Sequence, residues 1–187
     1  HFEKMLYDQS MLLLVCAELF AKTKSKLYSL AIKKTASWLK EHMKLPSGLY
    51  GSATDADTKD GEGFYYSIEN TKDEKIKKLF MLDKCGKHEG KYIPWLDVGY
   101  YEKHTKEAEA IIESYKNKRK TLDKPGLDPK SVFSWNAMLG YSLLKCGSAL
   151  KHRDLLDNGL ALFDAMTKHH AKEKFHHVVY GVKGHES

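Results

Sequence analysis

The chain has 187 residues, of which 42% are apolar, 11% aromatic and 30% charged, with only four prolines. At ~150 residues per domain this length predicts a single domain over residues 1–187, and the apolar share excludes a disordered tail. Lys and Arg outnumber Asp and Glu by 31 to 25, a net +6 spread among interleaved acids, so neither nucleic acid nor a membrane surface is an expected partner.

The longest apolar stretch, from Met11 through Leu14 to Phe20, is interrupted by Glu18 and falls short of the ~20 residues of a membrane span. The basic run Lys116-Asn117-Lys118-Arg119-Lys120 reads as the solvated end of a helix, where cations complement the C-terminal dipole. No signal-peptide pattern opens the chain, and its first residue is His1 instead of Met, so it reads as a fragment of a longer protein. Cys16, Cys85 and Cys146 stand far apart with no Cys-x-x-Cys. Such a set argues against a disulfide scaffold and for a reducing, cytoplasmic location.

A first helix is predicted over about residues 2–22, where Phe2, Met5, Leu6, Leu12, Leu13, Cys16, Leu19 and Phe20 recur at three- and four-residue steps. A second, over about 25–43, carries Leu27, Leu30, Ala31 and Trp38 on one side, and the short link predicts an antiparallel hairpin. From Pro46 to Gly63 glycine, proline and aspartate mark a loop, flanked by Leu49-Tyr50 and Phe64-Tyr65-Tyr66, which could pair as a small β-ribbon over 49–66. Further helices are predicted over about 69–82, 103–120, 132–146 and 154–170, with an irregular stretch at 85–101 and no clear period after His170. The fold class is therefore all-α, a series of helical hairpins separated by long loops. Hairpins that cannot each bury their own faces close into bundles, solenoids or toroids.

Four constellations come into question for chemistry. The opening is rich in ionisable and aromatic groups: His1, Lys4 and Asp8 fall together beside the apolar stripe. They form either a solvated first turn or a polar wall facing a ligand. Asp55 and Asp57, with Glu62 a few residues on, could divide acid and base roles, bind a hard cation or hydrogen-bond sugar hydroxyls; the bland alternative is a turn in which Asp bonds its own backbone. Neither Gly at the sixth position nor Glu at the twelfth follows, which excludes a calcium loop. Trp135 opens the fifth helix, and Asn136 beside it needs a hydrogen-bond partner if buried. In the tail, His169, Glu173 and His177 would share a face of a continued helix, but the His-Glu-x-x-His arrangement is missing and no metal is assigned. No phosphate loop, nucleophile elbow or kinase signature is present, and no cofactor is expected.

The string His1-Phe2-Glu3-Lys4-Met5-Leu6-Tyr7-Asp8-Gln9 is followed in order by Gly48-Leu49-Tyr50-Gly51-Ser52-Ala53, Asp55-Ala56-Asp57, Glu62-Gly63 with Phe64-Tyr65, and Ser134-Trp135-Asn136-Ala137. In these blocks the chain resembles the thioredoxin domain-containing family typified by YyaL and spermatogenesis-associated protein 20. The resemblance implies a thioredoxin-like domain, absent here, followed by a helical toroid similar to six-hairpin glycosidases and N-acylglucosamine 2-epimerases, of which this chain holds a part. It also implies a central pocket with Asp55, Asp57 and Glu62 as candidate catalytic carboxylates. His1, Lys4 and Asp8 would form its polar wall, Tyr65 and Trp135 would stack on sugar, and Asn136 would read a hydroxyl. The chain departs from the family pattern at Thr54, at Ser67 and at Asp128-Pro129-Lys130, where the family reads Asp-Asp-Lys.

The expected function is therefore carbohydrate-active, glycosidase- or epimerase-like, with a small sugar-like ligand; whether catalysis survives stays open. The alternatives are a non-catalytic scaffold or decayed fragment, or a redox-associated protein whose chemistry lies in the missing domain. Unpartnered hairpin faces predict self-association or association with the rest of the toroid.

Overall fold

The computed structural model describes residues 2–171 and 176–180. Among these the chain is mostly helical, with seven α-helices and a few small antiparallel sheets. They group into two compact units. One, here the helical unit, runs over Glu3–Asp55 and resumes at Leu127; the other, the inserted unit, comprises Ala56–Gly126 together with Phe2.

The helical unit is built on two hairpins. The first joins α1 (Leu6–Thr23) to α2 (Lys26–His42). Helix α1 stops where Lys24 turns left-handed at φ 56°, and Ser25 starts α2 by accepting the Leu27 amide on its side chain. The second joins α6 (Phe133–Leu150) to α7 (Arg153–His170) through Lys151, again left-handed at φ 52°. Glycines let these two helices close up. A Cβ on Gly147 would lie 2.7 Å from Leu156 Cγ, and one on Gly159 would lie 2.9 Å from Leu144.

Helices α1 and α6 pack side by side and run parallel. Tyr7 meets Trp135 near their starts, and Glu18 pairs with Lys145 at 3.1 Å further along. The core fills the space between the hairpins with Leu6, Leu13, Ile32, Leu39, Leu139 and Leu162, all buried, each contributing about 1.5–3 kcal/mol by burial. Two hairpins are present; a closed toroid is not shown.

Short strands tie the helix starts together. Strand β1 (Lys4–Met5) pairs with β2 (Ala53–Thr54), and β2 pairs with β7 (Leu127–Asp128), all antiparallel. Strand β8 (Ser131–Val132) pairs with β9 (Val178–Val179). The β1 pairing is why α1 starts at Leu6, later than its apolar period predicts: Lys4 and Met5 are extended against residues remote in sequence.

The inserted unit opens with the hairpin of β3 (Asp57–Thr58) and β4 (Gly61–Glu62), turned at Gly61, φ 118°. Gly63, φ 68°, then starts a 3-10 turn over Phe64–Tyr66. The ribbon expected over 49–66 thus has other partners. Tyr50 bridges to Lys44, and residues 64–66 curl instead of extending. Helix α3 (Glu74–Leu79) is shorter than predicted, because Asp73 caps it and Met81 turns left-handed at φ 48°. Within the stretch expected to be irregular, β5 (Lys87–His88) pairs with β6 (Lys91–Tyr92), and Asp97 caps α4 (Val98–Lys103). Helix α5 (Thr105–Arg119) follows. Leu79, Leu82, Ile68, Tyr65 and Ala108 are the buried hydrophobic residues of the inserted unit.

Candidate functional site

The parallel run of α1 and α6 puts both helix starts at one end of the helical unit, beside the β1-β2-β7 sheet. There Tyr7 and Trp135 meet edge-on, their centroids 5.0 Å apart at 64°. Tyr7 keeps 36% of its surface exposed and Trp135 is half-buried. Asp8 follows Tyr7 and is exposed. Because Lys4 is in β1, it does not share a helical face with Asp8 as the helix spacing predicts.

The sheet gathers the remaining polar groups. Lys4 lies directly opposite Thr54, so the two project from the same face. Lys4 is half-buried, and that burial lowers the pKa of its ammonium. Thr54 is buried, and its hydroxyl has no hydrogen-bond partner among the described residues. Asp55 follows it and is exposed.

Asp128 on β7 accepts from the Ser52 hydroxyl at 2.8 Å and the Lys130 amide at 2.9 Å, with the Lys130 ammonium 3.2 Å away. Partial burial pushes its carboxyl pKa up, but the bonds from Lys130 and Ser52 outweigh it and hold the carboxyl below its ordinary value. The Ser52 amide also bonds the Asp128 carbonyl at 3.0 Å. This approach explains Gly51, since a Cβ there would lie 2.5 Å from the Asp128 carbonyl oxygen. Asp128, Ser52, Lys130 and Tyr7 join the candidate residues at this end of the helical unit, and the sequence reading did not select them. The glycine before Ser52 was the available signal, because it marks where another backbone comes close.

Asn136 is fully buried. Its side-chain oxygen accepts the Tyr50 amide at 2.8 Å, and its NH2 donates to the Tyr50 carbonyl (3.1 Å), Ser131 Oγ (3.0 Å) and the Val132 carbonyl (3.1 Å). The amide thereby ties the loop before β2 to the start of α6. Tyr50 beside it is buried too, which pushes its phenol pKa up to about 12.

The other candidate residues lie in the inserted unit. Asp57 and Glu62 stand directly opposite each other in the β3–β4 hairpin, both exposed. Asp55, grouped with them by sequence, belongs to the helical unit. Tyr65 is buried, with the Arg119 guanidinium 5.8 Å from its ring centre. Burial lowers the Arg119 pKa, countered in part by Tyr65 and Tyr66. His1 and Glu173 lie outside the described residues. Among the described residues no group of three His, Cys, Asp or Glu is placed to hold a metal ion, and no helix is long and apolar enough to cross a membrane.

No protein-family model and no curated protein matches the chain. Among solved structures, a crystal structure of D-mannose isomerase aligns with 89% of this chain and 41% of its own, at a TM-score of 0.31 and 16% identity. The chain thus spans less than half the length of that protein. Agreement at this level fixes neither fold nor chemistry.

Proposed function

We propose that the chain is the ligand-binding part of a carbohydrate-handling protein built as a toroid of helical hairpins. A polyhydroxylated ligand lies against Tyr7 and Trp135 and is hydrogen-bonded from the same end of the helical unit. The observation that carries this reading is the partly exposed Tyr7–Trp135 pair at the shared start of α1 and α6, beside a sheet bearing Lys4, Thr54, Asp55 and Asp128. An aromatic face takes the apolar C–H face of a sugar ring, and a few placed polar groups fix its hydroxyls. Asp128, held ionised by Ser52 and Lys130, is an acceptor ready for a ligand hydroxyl.

Within the inserted unit, Asp57 and Glu62 are separate candidates for acid–base work, directly opposite each other in the β3–β4 hairpin. The resemblance of the sequence blocks to the thioredoxin domain-containing family supports a longer, cytoplasmic protein whose remaining hairpins complete the toroid. A second reading, a non-catalytic scaffold, is favoured by Asn136 and Tyr65. Both were expected to meet a ligand, and both are buried in contacts within the protein.

The test is a thermal-shift panel on the 187-residue chain, using monosaccharides, amino sugars and sugar phosphates, with tryptophan fluorescence as a second readout. A ligand that binds only the native state raises the midpoint. The rise should disappear in Tyr7→Ala and in Asp55→Asn. A chain that melts cooperatively with no shift in any sugar refutes the binding reading and leaves the scaffold.

A further inference from the structure

At the end of α7 a buried polar chain has no part in the proposed site. His170, the last residue of the helix, is fully buried. Its Nδ1 lies 2.7 Å from the carbonyl oxygen of His176, and its Nε2 lies 3.3 Å from Ser131 Oγ. A carbonyl only accepts, so Nδ1 carries the proton; in the neutral ring Nε2 is then the acceptor, whereas a proton there would leave the Ser131 hydroxyl without its acceptor. Ser131 therefore donates its hydroxyl proton to His170 and accepts from the Asn136 NH2 at 3.0 Å. The donor and acceptor roles run in one direction from Tyr50 through Asn136 and Ser131 to His170 and the His176 carbonyl, and only the neutral imidazole satisfies them all.

The same ring fastens residues 176–180. The His176 amide donates to the His170 carbonyl at 2.7 Å, the Phe133 amide donates to the His177 carbonyl at 2.9 Å, and Val178 and Val179 pair with Val132 and Ser131. The segment is otherwise lightly held. His176, His177 and Tyr180 are exposed, and Val178 and Val179 are only half-buried. Release of this segment takes the His176 carbonyl away from Nδ1.

We infer that His170 is an acid-released latch: neutral, it seats residues 176–180 on β8, and protonated, it lets them go. The groups that bear on the ring were taken from each element around it. On α7 the neighbour is His169, and from the seated segment come His176 and His177. Strand β8 offers the neutral Ser131, while α6 offers the Phe133 ring, edge-on at 5.5 Å, and the Asn136 amide. Among the described residues no carboxylate meets it; the three other histidines all oppose a positive charge. Burial lowers the ring's pKa most, and the His176 carbonyl, which favours the cation, does not offset it.

The direction of the pH effect follows. Above the ordinary value of 6.5 the ring is neutral whether seated or released, and the latch holds. As the pH falls below it, the released ring takes up a proton that the seated ring refuses. The released fraction then rises by up to tenfold per pH unit, until the lowered pKa of the seated ring is reached. Strand β8 begins just after Lys130, so release also loosens the loop that holds Asp128.

The test is amide hydrogen exchange by NMR on the full chain between pH 8 and 5, expressed as protection factors, with the imidazole C–H shift of His170 followed in the same samples. The Phe133 and His176 amides should lose protection together as His170 titrates below its ordinary range, while the Leu139 amide in the core of α6 stays protected. His170→Gln, which keeps one donor and one acceptor, should make Phe133 protection independent of pH, and His177→Gln should leave the transition in place. If His170→Gln does not fold, the wild-type ring still decides. A ring titrating at 6.5 or above, or Phe133 protection that is lost only when Leu139 protection is lost, overturns the inference.

Discussion

Replacing Asn136 with alanine strands both main-chain groups of Tyr50. The Tyr50 amide loses its 2.8 Å acceptor and the Tyr50 carbonyl its 3.1 Å donor, and both belong to a buried residue. Ser131 also loses the NH2 at 3.0 Å but keeps His170, and the Val132 carbonyl keeps the helical bond of α6. A buried polar group left without a partner costs about 1–3 kcal/mol, so the two Tyr50 groups together predict a loss of about 2–6 kcal/mol. That is a large share of the 5–15 kcal/mol typical of a folded domain, and at ~2–4 °C per kcal/mol for a chain of this size it lowers the melting midpoint by roughly 4–24 °C. Asn136→Asp keeps the acceptor but loses the donors and buries a charge, so it should fare no better. Urea unfolding followed by circular dichroism gives the difference, and amide exchange at Tyr50 locates it. A loss under about 1 kcal/mol with Tyr50 still protected would refute the assignment of Asn136 as the tie between the loop and α6.

Gly63→Ala should destabilise the inserted unit by more than about 1 kcal/mol, because Gly63 sits at φ 68° and a Cβ would lie 2.5 Å from the Phe2 ring; adding Phe2→Ala should recover part of that loss in urea midpoints. Asp128 is held ionised below its ordinary value of 3.8, so its contribution is full above that pH and is lost as the pH falls below it. Asp128→Asn should flatten this acid limb of the stability curve measured by thermal melts. The thiol of Cys146 is pushed up to about 12 by burial, with Cys16 adding to it, so iodoacetamide at pH 8 should label the half-buried Cys85 first. Mass spectrometry should find Cys16 and Cys146 labelled only after unfolding, and early labelling of either contradicts their place in the core.

The hairpin helices were legible because their signals are local. Apolar residues recur at helical spacing through Leu6, Leu13 and Cys16, and Ser25 caps α2 by the bond its residue type favours. The strands were not legible, because each is two residues long and is set by partners far away in sequence: Lys4 is extended only because Thr54 lies opposite it. The same holds for the candidate site. Trp135 and Asp8 stood out by type, and Asn136 was known to need a partner if buried, but nothing local reveals that Tyr50 is that partner. The third helix was overestimated because its apolar period runs on past Leu79, whereas the chain ends it with left-handed Met81. In the tail, His169 and His177 drew attention by their spacing, whereas His170, which did not, is the one buried as a neutral link in a hydrogen-bond chain.

The pairing of β2 with β7 has a consequence for how this chain tolerates change. The polypeptide leaves the helical unit at Asp55 and re-enters it at Leu127, yet Ala53 and Asp128 lie directly opposite each other in the sheet. For the helical unit, everything between is a loop closed by a single strand spacing of about 4.8 Å. The entropy of closing such a loop rises only logarithmically, by about 0.6 kcal/mol for each doubling of its length. The junction is therefore a natural splice point: a foreign module inserted there, or a much shorter turn, would leave both hairpins intact provided its own ends meet at that spacing.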